Sequence, residues 1–194
     1  MKRTAADRYE SVHSLPLPET SPQANSSLVR AQNGHIFCTI CGFKNIYEVG
    51  LSTDRKKLEL IKTHPIDEKI YKMTAATVGN IDYLFTSSID SAVRLYRVDG
   101  SSFTQINKFQ CTNPFCLLWL KERSILLVSE FNGTLNSDSV RAFKFDADLK
   151  KTVEDATVLN AKEGLVIRSW SETGENGVTL FDNKKKELVD MKVI

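Results

Sequence analysis

The chain has 194 residues, 41% of them hydrophobic and 26% charged, close to the balance of an ordinary globular domain; this excludes wholesale disorder and predicts one structured unit with its own core. Twenty-six basic against 24 acidic residues leave a formal charge of +2, without the concentrated basic face of nucleic-acid binders, so nucleic acid is unsupported as a partner. No run nears the roughly 18 apolar residues of a membrane span, and the polar residues after Met1 form no secretory signal, so no membrane association and a cytoplasmic or nuclear address are expected.

Residues 1–33 hold three of the five prolines (Pro16, Pro18, Pro22) among Ser, Thr, Asn and Gln, with no apolar period of 2 or 3.6. This composition predicts a disordered N-terminal tail. Within it, Ser21-Pro22 has the form of a proline-directed phosphorylation site and Asn25-Ser26-Ser27 that of a glycosylation sequon, which has no meaning without a secretory route. From residue 34 to 194 the pattern changes to short alternating apolar runs, rich in β-branched and aromatic residues and separated by polar turns, the signature of strands. The segment nearest to a helix, residues 57–76, is broken by Pro65 and reads as strand, turn, strand. Arg55-Lys56-Lys57 and Lys184-Lys185-Lys186 fall between apolar runs, where hairpin tips are expected.

The runs recur. Val93-Arg94-Leu95-Tyr96-Arg97-Val98-Asp99 returns 47 positions on as Val140-Arg141-Ala142-Phe143-Lys144-Phe145-Asp146 (93 to 140), and the strand before it, residues 83–90, returns 42 positions on as residues 125–132 (83 to 125). The difference of five is a longer hairpin tip at residues 133–139. Weaker copies lie at residues 36–49 and 166–181; further strands are expected at 58–62, 69–75, 103–109, 115–120, 153–159 and 188–193. The sum is about four units, each of up to four antiparallel strands, which is the make-up of a β-propeller blade. Val93 and Leu95 on one face, with Tyr96 and Val98 on the other, require a neighbouring sheet against each.

Residues 64–99 resemble the WD-repeat family. Thr86, Asp90 and Val93-Arg94-Leu95-Tyr96 match that family's small residue on the second strand, its turn Asp and its third-strand Val-Arg-Leu-Trp, while His64 lies where the family places a His that hydrogen-bonds the turn Asp. The resemblance implies a structural network of His64, Thr86, Asp90 and Tyr96; Tyr96, Arg97 and Thr63 stand where the family has Trp, Asp and Gly. Residues 113–160 resemble a second propeller family, the seven-bladed lactonase group, through Asn113-Pro114, residues 115–120 and 125–130, and Ser139-Val140-Arg141-Ala142-Phe143-Lys144-Phe145-Asp146. That likeness implies the blade and carries no catalytic role. The expected fold is therefore all-β, a propeller-like array of about four antiparallel blades, either a small ring or a partial propeller.

For chemistry, Cys38-x-x-Cys41-Gly42 and Cys111-x4-Cys116 are the thiols that could close a zinc site, against the alternative of free cysteines buried in strands. Three histidines, His13 in the tail, His35 opening a strand and His64, leave little material for a Ser-His-acid or metal site. Glu130 beside Ser129 is the best candidate for a polar residue facing a central channel, although plain surface exposure is the expected reading, and Trp119 and Trp170 read as core. No catalytic residue and no cofactor is expected. The first functional expectation is a non-enzymatic scaffold for protein partners, with self-association through open terminal blades. The alternatives are a lactone-acting enzyme or its inactive descendant, which convergence of His64, Arg141 and Glu130 in one pocket would favour, and a zinc module through Cys38, Cys41, Cys111 and Cys116.

Overall fold

A computed structural model describes residues 15–18, 26–31, 34–54, 56–100, 102–121, 124–132, 137–149, 152–153, 159–160, 165–172, 175–182 and 187–190. They form four antiparallel sheets in chain order. The first is β1 (Ser26–Arg30), β2 (Ile36–Ile40), β3 (Asn45–Leu51) and β4 (Leu58–Pro65); the second is β5 (Ile70–Val78), β6 (Ile81–Ser88), β7 (Ala92–Asp99) and β8 (Ser102–Gln110). The third comprises β9 (Pro114–Leu120), β10 (Ile125–Asn132), β11 (Ser137–Phe145) and two short strands, β12 (Thr152–Val153) and β13 (Leu159–Asn160), and the fourth β14 (Leu165–Glu172), β15 (Glu175–Asp182) and β16 (Glu187–Asp190). In each sheet successive strands pair as a meander, save that β13 pairs with β11 as β12 does, and the first strands β1, β5, β9 and β14 touch in that order. Sheets standing face to face with their opening strands adjacent make a sector of a β-propeller-like fold.

One expected boundary moves. β1 lies inside the stretch expected to be tail: Ser26 to Arg30 pair with Ile40 to Ile36 of β2, and Ser27 Oγ accepts the Met73 N–H at 3.0 Å, so tertiary pairing makes a strand where the local pattern is short and polar. Ser21, Pro22 and Asn25, like His13, lie outside the described residues, as do Arg55 and Lys184 to Lys186. Of the strand expected at 153–159, the described parts are β12 beside Lys144–Phe145 and β13 beside Ser139–Val140, both antiparallel to β11, and residues 154–158 lie outside the described residues. The strands at 58–65 and 70–78 flank the break at Pro65, as expected.

The alternation of side chains along a strand sends neighbours in sequence to different cores. Leu84 and Val98 join Phe37, Ile46, Ile70 and Met73 between the first and second sheets. Phe85, Val93 and Leu95 join Leu117, Trp119, Leu126 and Phe143 between the second and third. The expectation that Val93 and Leu95 need one neighbouring sheet and Val98 another is met. Phe85 is fully buried, stacked on Trp119 (centroids 5.4 Å apart) and edge-on to Phe145 (5.1 Å). The β6–β7 hairpin closes over Ile89-Asp90-Ser91, with Ser91 in the left-handed region (φ 56°), a three-residue turn that keeps Ser88 opposite Ala92.

Phe85→Ala removes the ring that bridges two sheets and is expected to lower the free energy of urea unfolding by about 3–5 kcal/mol. Ile61→Ala, at an exposed position of β4, is expected to change it by less than about 0.5 kcal/mol.

Candidate functional site

One edge of the second and third sheets is built twice on the same plan. In β5 the pairing passes from Ile70 opposite Ser88 to Lys72 opposite Ser87, which leaves Tyr71 as an extra residue. In β9 it passes from Pro114 opposite Glu130 to Leu117 opposite Val128, which leaves Phe115 and Cys116 facing the single residue Ser129. Each is a β-bulge, a device that breaks the ladder locally and re-aims a side chain. The broken ladder is mended by a serine of the second strand: Ser87 Oγ accepts the Lys72 N–H at 3.2 Å, and Ser129 Oγ accepts the Cys116 N–H at 2.8 Å. Ser87 Oγ also donates to the Phe115 carbonyl at 2.9 Å, tying one bulge to the next across the gap between sheets.

The turns beside the bulges match too. The Ile89 N–H donates to the Lys69 carbonyl at 3.1 Å, and the Phe131 N–H to the Asn113 carbonyl at 3.3 Å. Asn113, with φ 43°, sits in the left-handed region that Asn tolerates better than most residues, and its Nδ2 donates back to the Phe131 carbonyl at 3.1 Å. The Cys111 N–H reaches the Ser91 carbonyl at 2.8 Å, joining the turn of the second sheet to the link that enters the third. The result is a rim carrying Tyr71 and Ile89 from one sheet and Phe115 and Phe131 from the next. Ile89, Phe115 and Phe131 are 51%, 44% and 43% exposed, and the Tyr71 and Phe115 rings lie 6.0 Å apart.

Behind the rim, charges are matched. Asp90 accepts hydrogen bonds from Arg94 Nη1 at 2.8 Å and Lys108 Nζ at 3.2 Å, and the Arg94 guanidinium above all draws its carboxyl down to about 2. In the third sheet the residue at the repeat position of Arg94 is Arg141, but that of Asp90 is Asn132. The carboxylate comes instead from Glu130, two residues earlier, which is buried 3.2 Å from Arg141 Nη2 and accepts the Thr112 N–H at 2.8 Å. Burial, reinforced by the Glu130 charge, pushes the neighbouring Cys111 thiol up to about 12. Glu130 is therefore neither the surface residue expected nor free to face a channel; it is buried and engaged by Arg141 and the backbone.

The network implied for His64, Thr86, Asp90 and Tyr96 is not formed in that shape. His64 Nε2 lies 3.0 Å from one oxygen of Glu48, while His35 Nδ1 lies 2.8 Å from the other. Glu48 is buried on the face of β3 that meets the second sheet, and a buried carboxylate must be paired, so it takes both imidazoles, whereas Asp90 already has Arg94. His64 and Tyr96 are nonetheless joined, through Phe103: His64 stacks on that ring at 4.4 Å and Tyr96 on it at 4.8 Å. Burial pushes the Tyr96 hydroxyl up to about 12, and Thr86 Oγ1 is buried without a hydrogen-bond partner among the described residues. The buried pairing of Glu48 escapes sequence reasoning; an acid on a strand between two apolar residues, Tyr47 and Val49, is its only signal.

The zinc reading is corrected. Cys38 and Cys41 belong to the first sheet and its β2–β3 turn, Cys111 and Cys116 to the entry of the third, and all four are free. Cys38 packs on the far face of the first sheet and Cys111 in the core between the second and third, and no group of three or more possible ligands gathers among the described residues. Nor do His64, Arg141 and Glu130 converge: Glu130 meets Arg141, and His64 is held by Glu48 in another sheet. Trp119 is core, while the side chain of Trp170 lies outside the described residues.

No family model and no curated protein matches the chain. Among solved structures it is similar to a candidate 6-phosphogluconolactonase from Bacteroides uniformis, with a TM-score of 0.53 and 14% identity over 88% of this chain and 56% of that one. It is also similar to an endo-arabinase from Bacteroides thetaiotaomicron, with a TM-score of 0.53 and 16% identity over 79% of this chain and 68% of that one. At these identities the likeness shows a propeller-like fold alone, and the chain spans little more than half of the first protein's length.

A carboxyl depressed in the folded state contributes stability that is present above its unfolded value of about 4 and lost as pH falls through about 2. Asp90→Asn is accordingly expected to cost about 1–2 kcal/mol near neutrality. Its melting temperature should fall less steeply than that of the unaltered protein between about pH 4 and 2, measured by circular dichroism.

Proposed function

We propose that the chain is a non-enzymatic propeller-type scaffold that binds a protein partner through the rim of Tyr71, Ile89, Phe115 and Phe131. The observation that carries this reading is the duplication of the bulge. Two sheets each give up a regular ladder step, and restore it with a serine hydroxyl, in order to present an aromatic side chain on one edge. Exposed apolar groups rimmed by polar residues are the usual mark of a protein-binding surface. The partner's character follows from the charges. Asp90 and Glu130 are each paired with a guanidinium, so neither carboxylate is a free anion for a metal. The rim suits a protein segment with bulky apolar side chains.

A second reading, a lactonase-type enzyme or its inactive descendant, draws on the likeness to the Bacteroides uniformis protein and on the buried Glu130–Arg141 pair. It requires turnover of a sugar lactone that is lost in Glu130→Gln.

A photo-reactive phenylalanine analogue placed at position 115 or 131 in cells is expected to give discrete adducts with the same heterologous protein, and none when placed at the exposed position 61 of β4. Phe115→Ser with Phe131→Ser should weaken that association at least tenfold while leaving the melting temperature within a few degrees. Equal labelling from all three positions would overturn the rim as the binding surface, and hydrolysis of a phosphorylated sugar lactone by the purified protein would turn the assignment toward the second reading.

A further inference from the structure

The first sheet differs from the second in what covers it. Its inner face, with Phe37 and Ile46, packs on the second sheet. The opposite face carries Cys38, Tyr47 and Val49, with Leu58 and Leu60 partly buried at its outer strand. In the second sheet both faces meet another sheet. On this face of the first, the described residues outside the sheet that pack against the cluster are Leu15 and Leu17. Along Leu15-Pro16-Leu17-Pro18 the leucines are half-buried and the prolines exposed, the period-2 pattern of an extended segment laid on a sheet. It joins no ladder, and Pro16 and Pro18 have no N–H to give one. Beneath this cover Tyr47 is fully buried.

We propose that residues Leu15 to Pro18 are an intramolecular cap standing where a neighbouring blade would stand, and that its release turns this face into a self-association surface for a second copy of the chain. The geometry favours the chain's own segment as the resident occupant: leucine inward and proline outward satisfies the apolar face while offering no strand edge to another chain. It also makes the cap displaceable. Two half-buried leucines cover an area that in the neighbouring interfaces is covered by a whole sheet. The proposal rests on the fold alone and is independent of the rim.

The test uses two thiols of the 194-residue chain. Cys38 lies under the cap and Cys111 between the second and third sheets, both buried. In Leu15→Asp with Leu17→Asp, maleimide labelling of Cys38, located by peptide mass spectrometry, is expected to accelerate at least tenfold with Cys111 unchanged. The mass from light scattering should shift upward from that of the unaltered protein as concentration rises. Unchanged labelling of Cys38 overturns the cap, and selective exposure of Cys38 without any rise in mass overturns the self-association. Should the charged variant unfold, Leu15→Ala with Leu17→Ala is read the same way, and equal acceleration at both cysteines overturns the proposal.

Discussion

The middle strands of this chain are apolar on both faces, and a sheet of that kind is stable only between two others. Leu84 and Phe85 are adjacent in sequence, both fully buried, and belong to different cores. Burying either side chain contributes about 2–3 kcal/mol, but only if a sheet stands on its side. The first three meanders are therefore not independent units that happen to touch. The stack of Phe85 on Trp119 and Phe145 makes the second sheet's stability a property of the third, and the bridge from His64 through Phe103 to Tyr96 links the first to the second in the same way.

That dependence between sheets also places the rim. A first strand pinned between two cores cannot slide, so an extra residue has nowhere to go except outward, and Tyr71 and Phe115 are the residues displaced. Ser87 and Ser129 keep the backbone satisfied at the break, and the link through Ser87 to the Phe115 carbonyl holds the two displaced rings on one surface. Packing sets the position of the aromatic groups, hydrogen bonding sets their spacing, and the carboxylates of Asp90 and Glu130 behind them are held by salt bridges.

Much of this architecture is legible in the amino-acid sequence because it is written in period 2. The match of residues 93–99 with 140–146 is enough by itself to identify the second and third sheets and to pair Arg94 with Arg141. What does not show is whatever depends on two strands at once. A bulge is a relation of register, so Tyr71 reads as one more strand residue, although Ser87 and Ser129 already stand at matching repeat positions. β1 is missed because Ser26 to Arg30 become a strand only against β2 and Met73. The role of His64 is misread because the competition for its imidazole is settled by the burial of Glu48, sixteen positions away, which no spacing rule captures.

The paired acids have a consequence for how such a chain changes over time. In both sheets the guanidinium stays at the same place in the repeat, and the carboxylate that answers it comes from the turn in one and from the end of the preceding strand in the other. Arginine's length lets it accept either. A turn acid can then be absent, as at Asn132, without leaving the guanidinium unpaired, provided another carboxylate lies within reach. Tolerance of that kind erodes the residue by which a blade is recognised while its electrostatics stay balanced, so the repeat can fade from the sequence well before it fades from the fold.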